Sequence, residues 1–550
     1  MENITALKGK YDRYYLPVII LSALFLFIPY LGSVHLFDWD EINFAESARE
    51  MIVTGNYHRV QINFEPFWEK PPLFFWLQVV CMKAFSINEF AARLPNAIFG
   101  LITLITFYFF GKKYKSALFG FLWALCYLGS FLPHIYFKSG IIDPVFNYFI
   151  FLGIYFMHRS LTQTDRSTVL NIILAGTFIG LANLTKGPVG LLIFLLTFFI
   201  YFILKKFKGF PSLKNIFIFI GCFTVVSFFW FGQEVINNGV WFLKEFLNYQ
   251  ADLFLHPVAE HGEPFYYHFV VIFFGCFPIS MLAFPGLFKR NFEASDFKKI
   301  MKILFWVVLI LFSITTTKII HYSSMTYFPL SFLAATYVHY LIVTRNKIPP
   351  YIFILLSLVA LVLATVLIGL PFIASHKEML VPHLNDPFAA ASLDVNVSWS
   401  GYEYLIGLAY LFLLIISFIM LSKGKFVKGF LLLFYSTAIC LFFYLSAVIP
   451  KIEKFSQGPA ITFYQSLIGK NVSVVPFGFK SYAHYFYFEK SFSPHKDQDE
   501  ELSRLLTGNI DKPAYFVVKV GNAEFSTACK NCRLIKKEGG FLFYIREPNK

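Results

Sequence analysis

The sequence predicts a polytopic α-helical membrane protein with about thirteen spans and a small soluble α/β domain at its C-terminal end. Of its 550 residues, 57% are hydrophobic and only 15% are charged, whereas a soluble domain carries about a quarter charged residues. Apolar stretches also recur at bilayer-crossing length along most of the chain. A span needs roughly 20 mainly apolar residues, because the hydrocarbon core is ~30 Å thick and a helix rises ~1.5 Å per residue. The third observation is a basic patch in every second loop.

Candidate spans run near 14–34, 91–111, 116–136, 144–158, 168–184, 189–204, 215–233, 268–288, 303–317, 323–343, 351–373, 402–421 and 430–449. With the N-terminus inside, the cytoplasmic loops contain Lys112-Lys113-Tyr114-Lys115, Arg159 with Arg166, and Lys205-Lys206-Phe207-Lys208. Further on they contain Lys289-Arg290 with Lys298-Lys299, Arg345 with Lys347, and Lys423, Lys425 and Lys428. This is the positive-inside pattern, and it also accounts for the net charge of +14. Nucleic acid is not the implied partner, because no basic, aromatic-interleaved surface lies outside the spans. The first apolar segment, Tyr14 to about Val34, follows Lys8, Lys10 and Arg13 without a cleavage motif and reads as a retained span.

An odd number of crossings places the region after residue 450 outside, with three other long outside segments at 35–90, 234–267 and 374–401. The chain divides into a membrane part, 1–450, and a tail, 451–550. In the tail, Val472–Phe479 and Ala514–Val520 read as buried strands and Asp499–Leu506 as a short helix. Leu534–Ile545 reads as a hairpin turning at Gly539-Gly540. Cys81, Cys126, Cys222, Cys276 and Cys440 lie in or beside apolar segments as small hydrophobes. Cys529 and Cys532 are too few for a zinc site and form either a local disulfide or two idle thiols.

The unusual polar residues sit in the outside loops. The first reads Asp38-Trp39-Asp40-Glu41-Ile42-Asn43-Phe44-Ala45-Glu46-Ser47-Ala48-Arg49-Glu50-Met51. Asp40 is placed to cap a helix with Glu41 in its first turn and Ala45, Ala48 and Met51 on a less polar side. Taken alone, the stretch also fits an amphipathic helix lying at the interface. Next comes Trp68-Glu69-Lys70-Pro71-Pro72-Leu73. Its Pro pair stiffens the backbone and holds Glu69 and Lys70 at the boundary of water and lipid. Lys70 there offers a point charge to a lipid phosphate, with Phe74, Phe75 and Trp76 beside the hydrocarbon; the plainer alternative is a snorkelling Lys next to a Glu. Asp143, in Ser139-Gly140-Ile141-Ile142-Asp143-Pro144, opens a span from the outside, where the helix dipole alone favours an acid.

The D-E-x-x-x-A-E-x-A-R-x-M stretch from Asp40, the E-K-P-P-L run from Glu69 and Arg93-Leu94-Pro95 resemble bacterial GT-C glycosyltransferases. The group they resemble is the aminoarabinose transferases of lipid A modification and their relatives among the protein O-mannosyltransferases. The resemblance continues at Thr185-Lys186-Gly187-Pro188, at His261-Gly262-Glu263-Pro264-Phe265-Tyr266-Tyr267 and at Thr317-Lys318-Ile319-Ile320-His321-Tyr322. It implies a GT-C fold in the bacterial inner membrane with the tail in the periplasm. The implied reaction is inverting transfer of a sugar from polyprenyl (undecaprenyl) phosphate at the periplasmic face. Lipid A or another envelope glycolipid is the expected acceptor, and protein Ser/Thr is the alternative. Asp40, with Glu41 and Asp143, is the expected set of catalytic acids. Lys70, Arg93, Lys186 and Lys318 are expected to hold the donor phosphate. A divalent ion, zinc by its ligand types, is expected near Glu69 and His261, with His256 as a rival ligand. A transporter or flippase, the reading from another class, would bury ionisable residues in mid-span and show pseudo-repeated halves. The middles of the proposed spans are nearly free of Asp, Glu, Lys and Arg. For a scaffolding protein the acidic loop would have no chemical task.

Overall fold

The computed structural model describes Gly9 and residues 11–162, 167–255, 262–288, 295–491 and 498–548. Each apolar segment read from the sequence contains one helix or several in tandem. By length and composition, seven helices among the described residues can cross a membrane, or eight if the pair Tyr267–Gly275 and Ile279–Phe288, bent by 101°, forms one span. The rest are shorter, interrupted or, like Asp143–Thr162 and Asp296–Ile314, too polar, so fewer than the expected thirteen qualify outright. The interruptions have local causes. The helix Ala117–Leu128 stops at Gly129, where a Cβ would fall 2.5 Å from Phe434 and close approach excludes any larger residue. The bend after Gly275 falls at Phe277-Pro278, where proline has no N–H to continue the ladder. The first helix, Asp12–Phe27, ends well before Val34.

Pro29, which has no N–H to continue the ladder, accounts for that early end, and Lys138 Nζ takes the carbonyls of Leu26 (3.1 Å), Phe27 (3.2 Å) and Pro29 (2.7 Å). Arg93, inside the helix Glu89–Tyr114, is buried and donates to the backbone carbonyls of Leu31 (2.8 Å), Val34 (2.7 Å) and His35 (3.0 Å). Its remaining N–H groups go to Glu41, Nε to Oε1 at 3.0 Å and Nη2 to Oε2 at 2.7 Å. The whole guanidinium fork is thus occupied, and only an unwound stretch can present three carbonyls to it. Glu41 also accepts from the backbone N–H groups of Phe37 (3.0 Å) and Gly140 (2.5 Å). Burial works against its charge, but the Arg93 guanidinium and these hydrogen bonds outweigh it and hold the carboxyl below its usual range.

The helix Asp40–Thr54 follows directly. It is not an interfacial amphipathic helix: every residue from Glu41 to Met51 is buried. Asp40 is its first residue, and Trp39 takes the cap position without a side-chain hydrogen bond. Burying the polar side requires internal pairing. Arg49 therefore forms a two-point pair with Glu46 at 2.7 Å for each bond and donates to the Lys490 carbonyl at 2.9 Å. Glu50 accepts from the N–H of Phe64 at 2.8 Å, which ties down the tight hairpin of β1 (Gln61–Ile62) and β2 (Glu65–Pro66). Asn63 and Phe64 at its turn have φ of 56° and 61°, as a two-residue hairpin loop of the primed type needs.

The tail forms a mixed four-stranded sheet of β3 (Ser473–Phe477), β4 (Ala514–Lys519), β5 (Arg533–Glu538) and β6 (Phe541–Arg546), in the order β3-β4-β6-β5. Strands β3 and β4 pair in parallel, and the other pairs are antiparallel. Alternation along β4 sends Phe516 and Val518 into a small core with Leu505, Ile510 and Phe525. Val517 points the other way, into the large core shared with the helices. Cys529 and Cys532 are joined by a disulfide. The tail also grips the first loop. The Tyr487 hydroxyl accepts from the Leu36 N–H at 2.6 Å, Gln457 donates to the Leu36 carbonyl at 2.8 Å, and Asp38 accepts from the Tyr482 N–H at 3.2 Å.

Breaking a buried pair by removing one partner costs about 3–5 kcal/mol. Arg93→Met and Glu41→Leu should each lower the thermal midpoint of the detergent-solubilised protein sharply, and the double variant by less than the sum. Additive losses would show that the two groups do not act as a unit. A second test is pH. Burial, and then the neighbouring Glu46, push the Glu50 carboxyl from 4.5 up to about 9. The folded state then holds this proton to higher pH than the unfolded chain does. Its stabilising contribution is complete below about pH 4.5 and is lost as pH rises towards 9. The Glu50→Gln variant should flatten the decline of the melting temperature across that window, and an unchanged slope would refute the assignment.

Candidate active site

One cluster of ionisable side chains gathers beside the N-terminus of the Asp40–Thr54 helix. His321, in the short 3-10 helix Ile320–Thr326, places Nε2 3.2 Å from Asp40 Oδ2 and 3.8 Å from Asp143 Oδ2. Asp143 begins the helix Asp143–Thr162 and receives Lys186 Nζ at 2.6 Å on its other oxygen. Lys186 is the last residue of the helix Ser167–Lys186, and its ammonium lies 4.8 Å from the Tyr322 ring centre. Asn147, one turn on from Asp143, donates to Ser324 Oγ at 2.8 Å and so pins the 3-10 helix against that face.

Exposure separates the two carboxylates. The Asp40 side chain is 36% exposed, Asp143 only 4% and His321 12%. Asp40 can therefore meet an incoming molecule, while Asp143 serves the two groups bonded to it.

Lys70 lines a cavity together with Asp143, Lys186 and Gln250. The rest of its lining is largely apolar, with Phe146, Val189, Ile193, Phe312 and Met325. Lys70 Nζ rests 5.2 Å from the centre of the Tyr249 ring. Burial depresses its pKa, Lys186 adds to the depression, and Glu69, Asp40 and Asp143 work in the opposite direction. The helix Val189–Leu204 that supplies Val189 and Ile193 also borders an apolar cavity of about 420 Å³ among Leu195, Phe198, Phe199, Phe202, Phe210 and Phe219. The two cavities border the same helix at different positions.

The remaining expected residues fall elsewhere. Glu41 and Arg93 are consumed by each other and by backbone groups, so neither presents a free donor or charge to a substrate. Lys318 is buried and donates to the Thr315 carbonyl at 2.6 Å, behind the wall of the cavity to which Thr315 contributes. Glu69 accepts from the Tyr249 hydroxyl at 2.5 Å and, through its carbonyl, from Gln250 at 3.3 Å. His261 and His256 lie outside the described residues. Among the described residues no group of three or more His, Cys, Asp or Glu side chains is arranged to hold a metal ion. His321 and Tyr322 belong to the stretch that carries the resemblance but were given no role there, and Tyr249 and Gln250 were not singled out at all. His321-Tyr322 had a signal, a polar pair at the threshold of an apolar segment; Tyr249 had none among 31 tyrosines.

Residues 69–231 match the family model described as dolichyl-phosphate-mannose-protein mannosyltransferase. The chain is 26% identical over 347 residues to the undecaprenyl phosphate-α-4-amino-4-deoxy-L-arabinose arabinosyl transferase of Wigglesworthia glossinidia brevipalpis, covering 61% of this chain and 60% of that protein. A Proteus mirabilis (strain HI4320) protein of the same description is 25% identical over 347 residues, covering 60% of each. The match therefore spans about 60% of the length of these relatives. An uncharacterized Aquifex aeolicus (strain VF5) protein is 25% identical over 395 residues, covering 70% of this chain and 76% of that one. In fold, the crystal structure of ArnT from Cupriavidus metallidurans bound to undecaprenyl phosphate superposes with a TM-score of 0.75 at 16% identity, covering 97% of this chain and 99% of that chain. Its apo form gives 0.69 at 17% identity, with the same coverage. In sequence the chain is similar to aminoarabinose transferases, and in fold it is similar to ArnT.

Proposed function

We propose that this protein is an inverting glycosyltransferase that moves a sugar from a polyprenyl phosphate, undecaprenyl phosphate in the bacterial inner membrane, to an envelope glycolipid such as lipid A at the periplasmic face. The observation that carries this reading is the placing of the exposed carboxylate of Asp40 and of His321 beside Asp143, Lys186 and Lys70, the last three lining a cavity with Phe146, Val189, Ile193, Phe312 and Met325. Its two ammonium groups suit a phosphate, and its apolar side chains suit the hydrocarbon that such a phosphate carries. The names of the curated relatives and of the superposed transferase support the donor class.

In this reading an acceptor oxygen attacks the anomeric carbon from the face opposite the phosphate. The new C–O bond forms as the old one breaks, its electron pair leaves with the polyprenyl phosphate, and the acceptor proton passes to Asp40. Lys70 and Lys186 stabilise the charge growing on the phosphate. Lys186 keeps one N–H on Asp143 and has two left for this task. His321, between the carboxylates, orients Asp40. Transfer to protein Ser/Thr is the second reading, favoured by the family model that matches residues 69–231.

Asp40→Asn keeps the shape and removes the base, so sugar transfer should fall by about 10²–10⁴-fold. Mass spectrometry of lipid A and protein glycans, from cells with the wild type, the variant or neither, reads both activity and acceptor. A sugar lost from lipid A identifies the glycolipid reading, and glycans lost from proteins identify the second. Full transfer by Asp40→Asn would end the proposed mechanism.

A divalent ion between Glu69 and His261 also belongs to this proposal, although the donors described around Glu69 fall short of a metal site and no step is drawn through one. An ion there predicts that chelation lowers donor affinity and that zinc restores it. Unchanged affinity after chelation, together with an unaffected His261→Ala variant, removes the ion.

A further inference from the structure

Two cations of the tail stand at the seam where it meets the Asp40 loop. Lys480, an exposed residue, holds Nζ 4.8 Å from the Trp39 ring centre and 5.7 Å from that of Tyr482. Trp39 and Tyr482 meet edge-on at 6.1 Å, and Trp39 immediately precedes Asp40. Lys519, at the end of β4, lies 4.9 Å from the rings of both Phe388 and Phe479, the latter being the neighbour of Lys480. Three separate segments therefore supply aromatic faces to these two ammonium groups, which share the stretch Phe479–Tyr482 as a common border.

Neither lysine has a carboxylate within salt-bridge distance among the described residues. Asp38 is the acid facing them, and its Oδ1 accepts from the Tyr482 N–H. Burial pushes its carboxyl pKa up, against the opposing pull of its hydrogen bonds and of Lys519. A ring face fixes a cation in place and leaves its charge and N–H groups available, whereas a carboxylate would neutralise it. Lysines presented this way are ready for an anion from outside.

We propose that Lys480 and Lys519 form a seat for an anionic group, a phosphate carried by the glycolipid acceptor, and that the tail domain thereby selects the acceptor. This rests on the transferase reading above. The seat adjoins the first residue of the Asp40 helix, so an acceptor held there presents its nucleophile on the Asp40 side. The donor phosphate is held separately, by Lys70 and Lys186. Donor and acceptor anions are then kept on different cations.

Direct binding tests the seat without relying on transfer. The detergent-solubilised full chain is titrated with lipid A and with its phosphatase-treated form. A hydrogen bond to a charged group is worth about 1.5–3 kcal/mol, so the phosphorylated probe should bind about tenfold more tightly. The Lys480→Gln/Lys519→Gln variant should lose that preference while keeping its thermal midpoint, and the Lys480→Arg/Lys519→Arg variant should retain it. Equal binding of the two probes by the wild type, or an intact preference in the double Gln variant, overturns the proposal. Should the envelope analysis show no sugar transfer while the preference still depends on both lysines, the seat stands and the transferase reading falls.

Discussion

The guanidinium of Arg93 sets where the rest of the site can be. It is buried in a membrane helix and directs all its hydrogen bonds at residues 31–41. An ammonium group could not replace it, having neither the planar fork nor enough donors for three carbonyls and a carboxylate. A buried ion pair is roughly neutral in stability when compared with a well-packed apolar substitute. What this one supplies is position. It holds the turns that follow the first helix against the bundle and fixes Glu41 at the start of the Asp40–Thr54 helix. Asp40, one residue earlier, is thereby held facing His321.

Around Asp40 the charges are arranged unequally. Lys186 has its partner in Asp143 at 2.6 Å. Among the described residues Lys70 has no such contact, and its neighbour Glu69 is engaged by the Tyr249 hydroxyl. Burial therefore weighs on its charge, seen as the depressed pKa of Lys70, with Glu69, Asp40 and Asp143 opposing. A negative group brought close to this ammonium would relieve the penalty.

Much of this was legible in the sequence where a periodic pattern or a local cluster carried the information. Strand alternation placed Val472–Phe479 and Ala514–Val520, and the paired glycines at 539–540 marked the hairpin between β5 and β6. Asp40 and Lys70 stood out in the first outside loop, Asp143 at the threshold of a span and Lys186 through the family resemblance, and the structure brings them together. Arg93, from the resemblance, and Glu41, from the acidic loop, satisfy each other, and sequence cannot tell a charge that awaits a ligand from one already paired. Tyr249 and Gln250 lie some 180 residues from the Glu69 they contact, and no local pattern records a contact of that range. The outright spans are fewer than the apolar segments in part because Gly129 and Phe277-Pro278 break helices for tertiary reasons that hydropathy does not register.

The tail explains how a residue at a loop-to-helix junction becomes a rigid part of the site. Residues 35–39 have no ladder of their own, so their backbone groups must find partners elsewhere. Arg93 takes the His35 carbonyl from the membrane side, and Gln457 and Tyr487 take both polar groups of Leu36 from the tail side. Arg49 extends the clamp one turn beyond, to the Lys490 carbonyl. The sheet in turn is not free to move away, since Val517, Phe541 and Phe543 bury their side chains in the same core as the helices. Swinging the tail outward would strip hydrogen bonds from the segment that aims Asp40 and expose those rings together. The membrane bundle and the tail therefore hold a single short segment between them, and the geometry at Asp40 exists only while both are in place.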